Sequence, residues 1–324
     1  VNLLISGPIT KPLNYRVFAD LQPARLTMQP LAFEKAEGAE GTVEAVVTND
    51  AKGKIAAIRA RLDMPDKKPL RVKMTFDGPV MSALEMTPFS MGRDRNVRAE
   101  IKTVENQRLV TLTADVLDVS RLFYGGNPNV KIQPEKFEIL PFLGAEAVME
   151  VQAARLVGAN GVSMDNARVR VVRKNGLHEK LAMQGVFNDG TDMLMDIERE
   201  TVFRRQFFVQ AERASNLFRM FDWIEEMSGG SLVAQGKIFD DGDIINGRRR
   251  DLSGRLTMTG FRVRNVPVLA SIVSLASLSG IADTLSGDGI KFEKAQGNFS
   301  FSEGRLSIEK GRMHGAAVGI TTQG

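Results

Sequence analysis

The sequence predicts a mostly β chain built as a meander of antiparallel strands. Three observations predict it. Apolar and polar residues alternate at period two over most of the 324 residues, turn dipeptides interrupt the alternation at short intervals, and only two segments change to a helical period. Such sheets commonly bury one face and wet the other.

In chain order, Asn49-Asp50-Ala51-Lys52-Gly53 and Asp77-Gly78-Pro79 are the first turn signals. Arg168-Val169-Arg170-Val171 alternates strictly and runs into Asn175-Gly176. That dipeptide suits a type I′ turn, whose two central residues both need positive φ. Leu181 and Met183 continue on the return strand, Asn188-Asp189-Gly190 turns again, and Met193, Met195 and Ile197 follow at period two. Further turns are expected at Asp240-Asp241-Gly242 and Ser286-Gly287-Asp288-Gly289. Asn298-Phe299-Ser300-Phe301-Ser302 then alternates, Glu303-Gly304 reverses the chain, and Leu306 and Ile308 resume the apolar face.

Two helices interrupt the strands. Over residues 215–227, Leu217, Phe218, Phe221, Ile224 and Met227 fall on one helical face, with Ser215 as the expected N-cap and Gly229-Gly230 as the stop. Over residues 267–285, Pro267 suits the first turn after Asn265, and Leu269, Ile272, Val273 and Ala276 share a face. Roughly twenty strands of ordinary length remain, and an open sheet of that size curls, closes or splits. Strand physics leaves a compact barrel or sandwich and a long curved trough equally open.

Composition narrows the chemistry. The chain has no Cys, which excludes a disulfide framework, thiolate metal sites and a Cys nucleophile, and suits an oxidising compartment. The 43 basic and 39 acidic residues are interspersed, and the one basic triplet, Arg248–Arg250, reads as a solvated turn. The chain starts at Val1 and stops at Gly324 inside a strand-like pattern, so it is expected to be part of something longer. No signal peptide is visible, and the uncharged stretch from Val266 to Ala282 is short for a spanning helix.

The motifs that would carry catalysis fail one by one. His178 and His314 lack partners at metal-ligand spacing. Gly236-Lys237 has Ser231 where a phosphate loop needs its first glycine and Ile238 where it needs Ser or Thr. Gly287-x-Gly289 lacks its third glycine, and Asp240-Asp241-Gly242-Asp243 has Ile244 and Ile245 where a calcium loop needs ligands. The expectation is a non-enzymatic chain without cofactor, metal or nucleic-acid partner; the few aromatics are mostly Phe at core-like positions.

Ala214-Ser215-Asn216-Leu217-Phe218-Arg219 opens an ordered string. It continues through Phe261-Arg262-Val263-Arg264-Asn265-Val266-Pro267-Val268-Leu269-Ala270, Leu275–Gly280, Gly287-Asp288-Gly289-Ile290-Lys291-Phe292 and Gly319-Ile320-Thr321. This string resembles the AsmA-like C-terminal family, in particular its YhdP branch, with Val266 in place of the family's frequent Ala. Upstream, Asp20-Leu21, Phe33–Gly38 and Val116–Ser120 resemble a repeat of that branch with less force.

The resemblance implies an elongated, curved antiparallel β-trough. It implies two segments, 1–164 as a β-meander groove and 165–324 of the AsmA-like C-terminal type with helices near 215–227 and 267–285. It further implies a periplasmic part of an inner-membrane-anchored protein that carries phospholipid between the bacterial inner and outer membranes, with its acyl chains in an apolar groove and other envelope proteins as possible partners. Alternation then marks Leu252, Leu256, Met258, Phe299, Phe301, Leu306 and Ile308 as candidate groove lining. Leu269, Ile272, Val273 and Ala276 become a candidate end-cap or membrane-facing helix. The 15 Met suit an adaptable apolar lining or an ordinary core. The alternative is a structural scaffold aiding outer-membrane protein assembly through an exposed sheet edge.

Overall fold

A computed structural model gives the fold. It describes residues 2–6, 14–28, 33–65, 68–90, 93–120, 144–240, 250–264, 289–302, 305–315 and 319–321. The chain is mostly β. In order its strands are β1 (Asn2–Ser6), β2 (Asn14–Asp20), β3 (Leu26–Met28), β4 (Phe33–Lys35), β5 (Thr42–Asn49), β6 (Ile55–Asp63) and β7 (Leu70–Asp77). There follow β8 (Val80–Phe89), β9 (Val97–Val104), β10 (Gln107–Asp118), β11 (Ala147–Val157), β12 (Ser163–Lys174), β13 (Leu177–Phe187) and β14 (Asp192–Thr201). Then come β15 (Arg204–Ala211), helix α1 (Ala214–Met220), β16 (Met227–Asp240), β17 (Arg250–Val263), β18 (Ile290–Ser302), β19 (Arg305–His314) and β20 (Gly319–Thr321).

The chain divides into two compact units. The first draws its described residues from Val1–Lys131, Leu140–Val157 and Asn166–His178, and the second from Gly158–Asp165 and Glu179–Gly324.

In the first unit β1, β2 and β5 to β10 pair antiparallel in that order. The turns are those that the local chemistry dictates. Asp50 Oδ1 accepts from the N–H groups of Lys52 and Lys54, each at 2.8 Å, and Gly53 takes φ +78°. Gly78 takes φ +60° at the next reversal. One pairing departs from the expected meander: β10 and β11 run parallel from Arg108↔Ala147 to Asp118↔Val157. A parallel pair cannot be closed by a hairpin and needs a crossover between its strands. Asn175 (φ +51°) and Gly176 (φ +76°) make the two-residue link after β12, both in the left-handed region that a type I′ turn demands. The small β3–β4 ladder carries a buried Lys35, whose Nζ donates to the carbonyls of Ala24 (2.8 Å) and Ala36 (3.1 Å).

In the second unit β13 to β20 pair antiparallel in sequence order. Among the described residues α1 is the one α-helix, and it is shorter than the expected 215–227. Asp222 takes φ +56°, which turns the chain out of the helix; its N–H donates to the Arg219 carbonyl, and Asn160 Nδ2 donates to the same oxygen, each at 3.1 Å. Ser215 does not cap the N-terminus, where Arg213 stands; its Oγ accepts from Gly229 N–H at 3.1 Å and ties α1 to β16. Gly229 and Gly230 do not end the helix but lie inside β16. Buried side chains of this unit include Leu217 and Met220 on α1 and Phe261, Ile290 and Phe292 on β17 and β18, with Phe261 stacked on Phe292 at 5.3 Å between ring centroids. Gly158 gives the helix room, since a Cβ there would stand 2.4 Å from Met220 Cγ. The second expected helix, 267–285, lies outside the described residues.

Candidate functional site

Strand register decides which side chains share a face, because side chains alternate and paired residues point the same way. In the second unit the register runs Leu181↔Ile197↔Phe207↔Gly236↔Gly254↔Phe299↔Ile308. Two residues along, it runs Met183↔Met195↔Val209↔Ala234↔Leu256↔Gly297. A third row is Gly185↔Met193↔Ala211↔Leu232↔Met258↔Ala295↔Met313. Every position in these rows is apolar or glycine. The rows between them are largely polar, for example Glu198↔Gln206↔Lys237↔Ser253↔Ser300↔Ser307.

The residues picked from alternation fall together on this apolar face. Leu252 pairs with Phe301, Phe301 with Leu306, and Phe299 with Ile308, while Leu256 and Met258 stand two and four residues along β17 from Gly254, opposite Gly297 and Ala295. The row of Leu252 and Phe301 continues through Ile238 to Arg205 and Arg199, so this face carries two arginines at one end. Leu252, Leu256, Phe299 and Phe301 are half-buried, Met258 is buried and Ile308 is 49% exposed. Leu269, Ile272, Val273 and Ala276 lie outside the described residues.

The first unit has a face of the same kind, and none of its residues was picked from the sequence as lining. Its central row is Val17↔Ala45↔Ala60↔Val72↔Met86↔Ala99↔Leu112↔Val151. A flanking row is Tyr15↔Val47↔Ile58↔Met74↔Leu84↔Ile101↔Val110↔Met149. The signal was present as period-two alternation, but it was diluted by Ala and by short strands. From β2 to β9 these side chains stay half-buried. The fully buried residues Phe89, Val97, Leu117 and Leu156 lie toward the ends of β8, β10 and β11 and the start of β9. There Asp94 Oδ1 accepts the Asp118 N–H at 2.8 Å.

The opposite face of the first unit is charged. Cross-strand pairs join Arg16 to Glu44 (3.3 Å) and Lys73 to Glu85 (3.5 Å), and Lys102 lies 2.6 Å from Glu100. Arg61 donates from Nε (2.7 Å) and Nη2 (2.8 Å) to the two oxygens of Asp63. That hydrogen bond holds the Asp63 carboxyl below the usual carboxylate range, and the bond to Glu100 raises the Lys102 ammonium. A depression of about 670 Å³ is lined by the charged Glu44, Arg59, Arg71, Lys73, Glu85 and Arg98 and also by Ala60, Val72, Met86 and Ala99 of the central apolar row. Charges of both signs on exposed strands make a wetted sheet face, not a cleft that concentrates one charge.

Among the described residues no three His, Cys, Asp or Glu side chains gather as a metal site, and no helix is long and apolar enough to cross a membrane. What the two apolar faces can do chemically is bury hydrocarbon. The chain matches no family model, no curated protein and no solved structure.

Proposed function

We propose that this chain shields phospholipid acyl chains along an apolar β-groove. It is then the periplasmic part of an inner-membrane-anchored protein that moves lipid between the inner and outer membranes. The observation that carries the proposal is the set of register-aligned apolar rows in each unit, half-buried from β2 to β9 in the first unit and partly buried in the second, where Arg199 and Arg205 stand at one end of the face. The resemblance to the AsmA-like C-terminal family supports the same reading and suggests that the sheets form an elongated, curved trough. The mechanism is passive. Each methylene taken out of water is worth about 0.8 kcal/mol, so a two-tailed lipid gains by lying on the face while its headgroup stays wet. No covalent step and no cofactor are involved.

The test is extraction and mass spectrometry of lipid from the purified chain, beside Leu256→Asp and Phe301→Asp. Stoichiometric phospholipid in the wild type, lost from the folded variants, is the expected outcome. Lipid no higher than on an unrelated β protein sinks the proposal. It would favour the assembly-scaffold alternative, which has its own support. Among the described residues β20 covers Arg312–His314 of β19, and Ser307–Lys310 are exposed along that edge.

A further inference from the structure

We propose that the turn between β14 and β15 is a membrane-docking tip, whose Val202 and Phe203 enter the acyl region of a phospholipid surface. The two strands stay paired to their last rung, Thr201↔Arg204, so Val202 and Phe203 are the whole of the turn. Each is 58% exposed, more than any other large apolar side chain among the described residues. Phe239, 42% exposed, pairs with Arg204 and adds a second ring at the same end of the strands.

The polar groups at this tip are satisfied from within. Arg199 Nη1 donates to the carbonyls of Thr201 (3.1 Å) and Val202 (2.6 Å), so these two carbonyls of the turn are already bonded. Its side chain is only 7% exposed, and its Nε lies 3.4 Å from Glu179. Arg204 Nε lies 2.6 Å from Glu200 Oε2. Backbone carbonyls and unpaired charges are what hydrocarbon penalises most, and here the carbonyls are bonded and the cations neutralised before contact. An apolar turn in water needs no such bracing.

A protein partner fits less well. A stable protein interface buries roughly 1,200 Å² or more, which a two-residue tip cannot supply alone. Shallow insertion needs only a few apolar side chains and no matching shape. Because Arg199 and Arg204, the described cations that brace the turn, are already paired, the surface that fits is zwitterionic phospholipid.

The experiment is flotation of the whole chain with phosphatidylcholine vesicles, comparing wild type with the Val202→Ser, Phe203→Ser double variant. Both side chains are exposed, so the variant is expected to fold, and circular dichroism checks it. The expected result is at least a tenfold loss of vesicle binding. Wild-type binding should persist in about 0.5 M salt, where charge attraction is screened. In a Trp223→Phe background, which removes the chain's single Trp, Phe203→Trp should shift its emission to the blue and be quenched by brominated acyl chains. Wild type that does not float, a double variant that floats equally well, or binding abolished by salt each overturns the proposal. The first outcome would leave the tip to an apolar protein partner. The double variant should also keep any lipid that co-purifies with wild type, so the docking tip and the groove can fail separately.

Discussion

Phe207 and Phe299 stand three strand spacings apart in the second unit, yet their ring centroids are 6.3 Å apart. On a flat sheet that separation would be about 14 Å. The two residues between them in register are both glycine, Gly236 and Gly254. With no side chains in the middle, the rings lean together over the gap. A Cβ at Gly236 would stand 2.1 Å from Ser253 O, 2.6 Å from Gly254 Cα and 2.8 Å from Phe207 Cε1. Glycine is required here by close approach of two backbones, not by a left-handed φ.

Gly236→Ala is therefore expected to destabilise the chain by about 2–3 kcal/mol, the cost of forcing backbone apart in a packed region. Gly319→Ala, where nothing lies within 4 Å of the added carbon, should be close to neutral. Urea unfolding midpoints of the two variants check the contrast.

The ring pair itself can be measured. Phe207→Ala should cost about 3 kcal/mol, since Phe207 is buried. The double variant with Phe299→Ala should cost less than the sum of the singles by about 0.5–1.5 kcal/mol. Strict additivity would mean that the rings do not support one another.

Lipid contact should follow period two. A photoreactive phenylalanine analogue at Val72, on the apolar face of β7, is expected to cross-link phospholipid when irradiated with lipid present. The same analogue at Lys73, one residue along and on the charged face, should not. Equal labelling at both positions would contradict a lipid-bearing face on the first unit.

Asp189 gives a pH-dependent link between the β13–β14 turn and α1. It accepts from Thr191 Oγ1 (2.6 Å) and Asn216 Nδ2 (2.9 Å), and Arg213 Nε lies 2.7 Å away. Burial alone would raise its carboxyl, but the hydrogen bonds from Thr191 and Asn216 and the charge of Arg213 bring it below the ordinary value. A carboxyl depressed on folding contributes stability above its unfolded pKa of about 3.9 and loses it as pH falls through the folded value. The side chain is 31% exposed, so the contribution is about 1 kcal/mol at most. Thermal unfolding should show wild type ahead of Asp189→Asn at pH 7, with the difference closing as pH drops below about 4.

Much of the fold was legible because its signals are local. The positive φ of Asn175 and Gly176 and the bend at Gly78 follow from residue chemistry that operates within a few positions. The alternation of Met193, Met195 and Ile197 likewise reports a face without reference to any other strand. The helix at 214–220 was visible in its apolar spacing, but its end was not. Asp222 turns there, Asn160 caps Arg219, and both depend on a segment far away in sequence.

By itself, then, the sequence determined the mostly β class, the positions of several turns, and which side of each strand is apolar, since all three depend on φ/ψ preference and side-chain alternation. Only the tertiary structure decided that β10 and β11 run parallel, that the apolar rows continue strand after strand through each unit, and that Phe207 reaches Phe299 over Gly236 and Gly254. Those features depend on which strands pair and in what register, and a period of two residues says which way a side chain points but not what it meets.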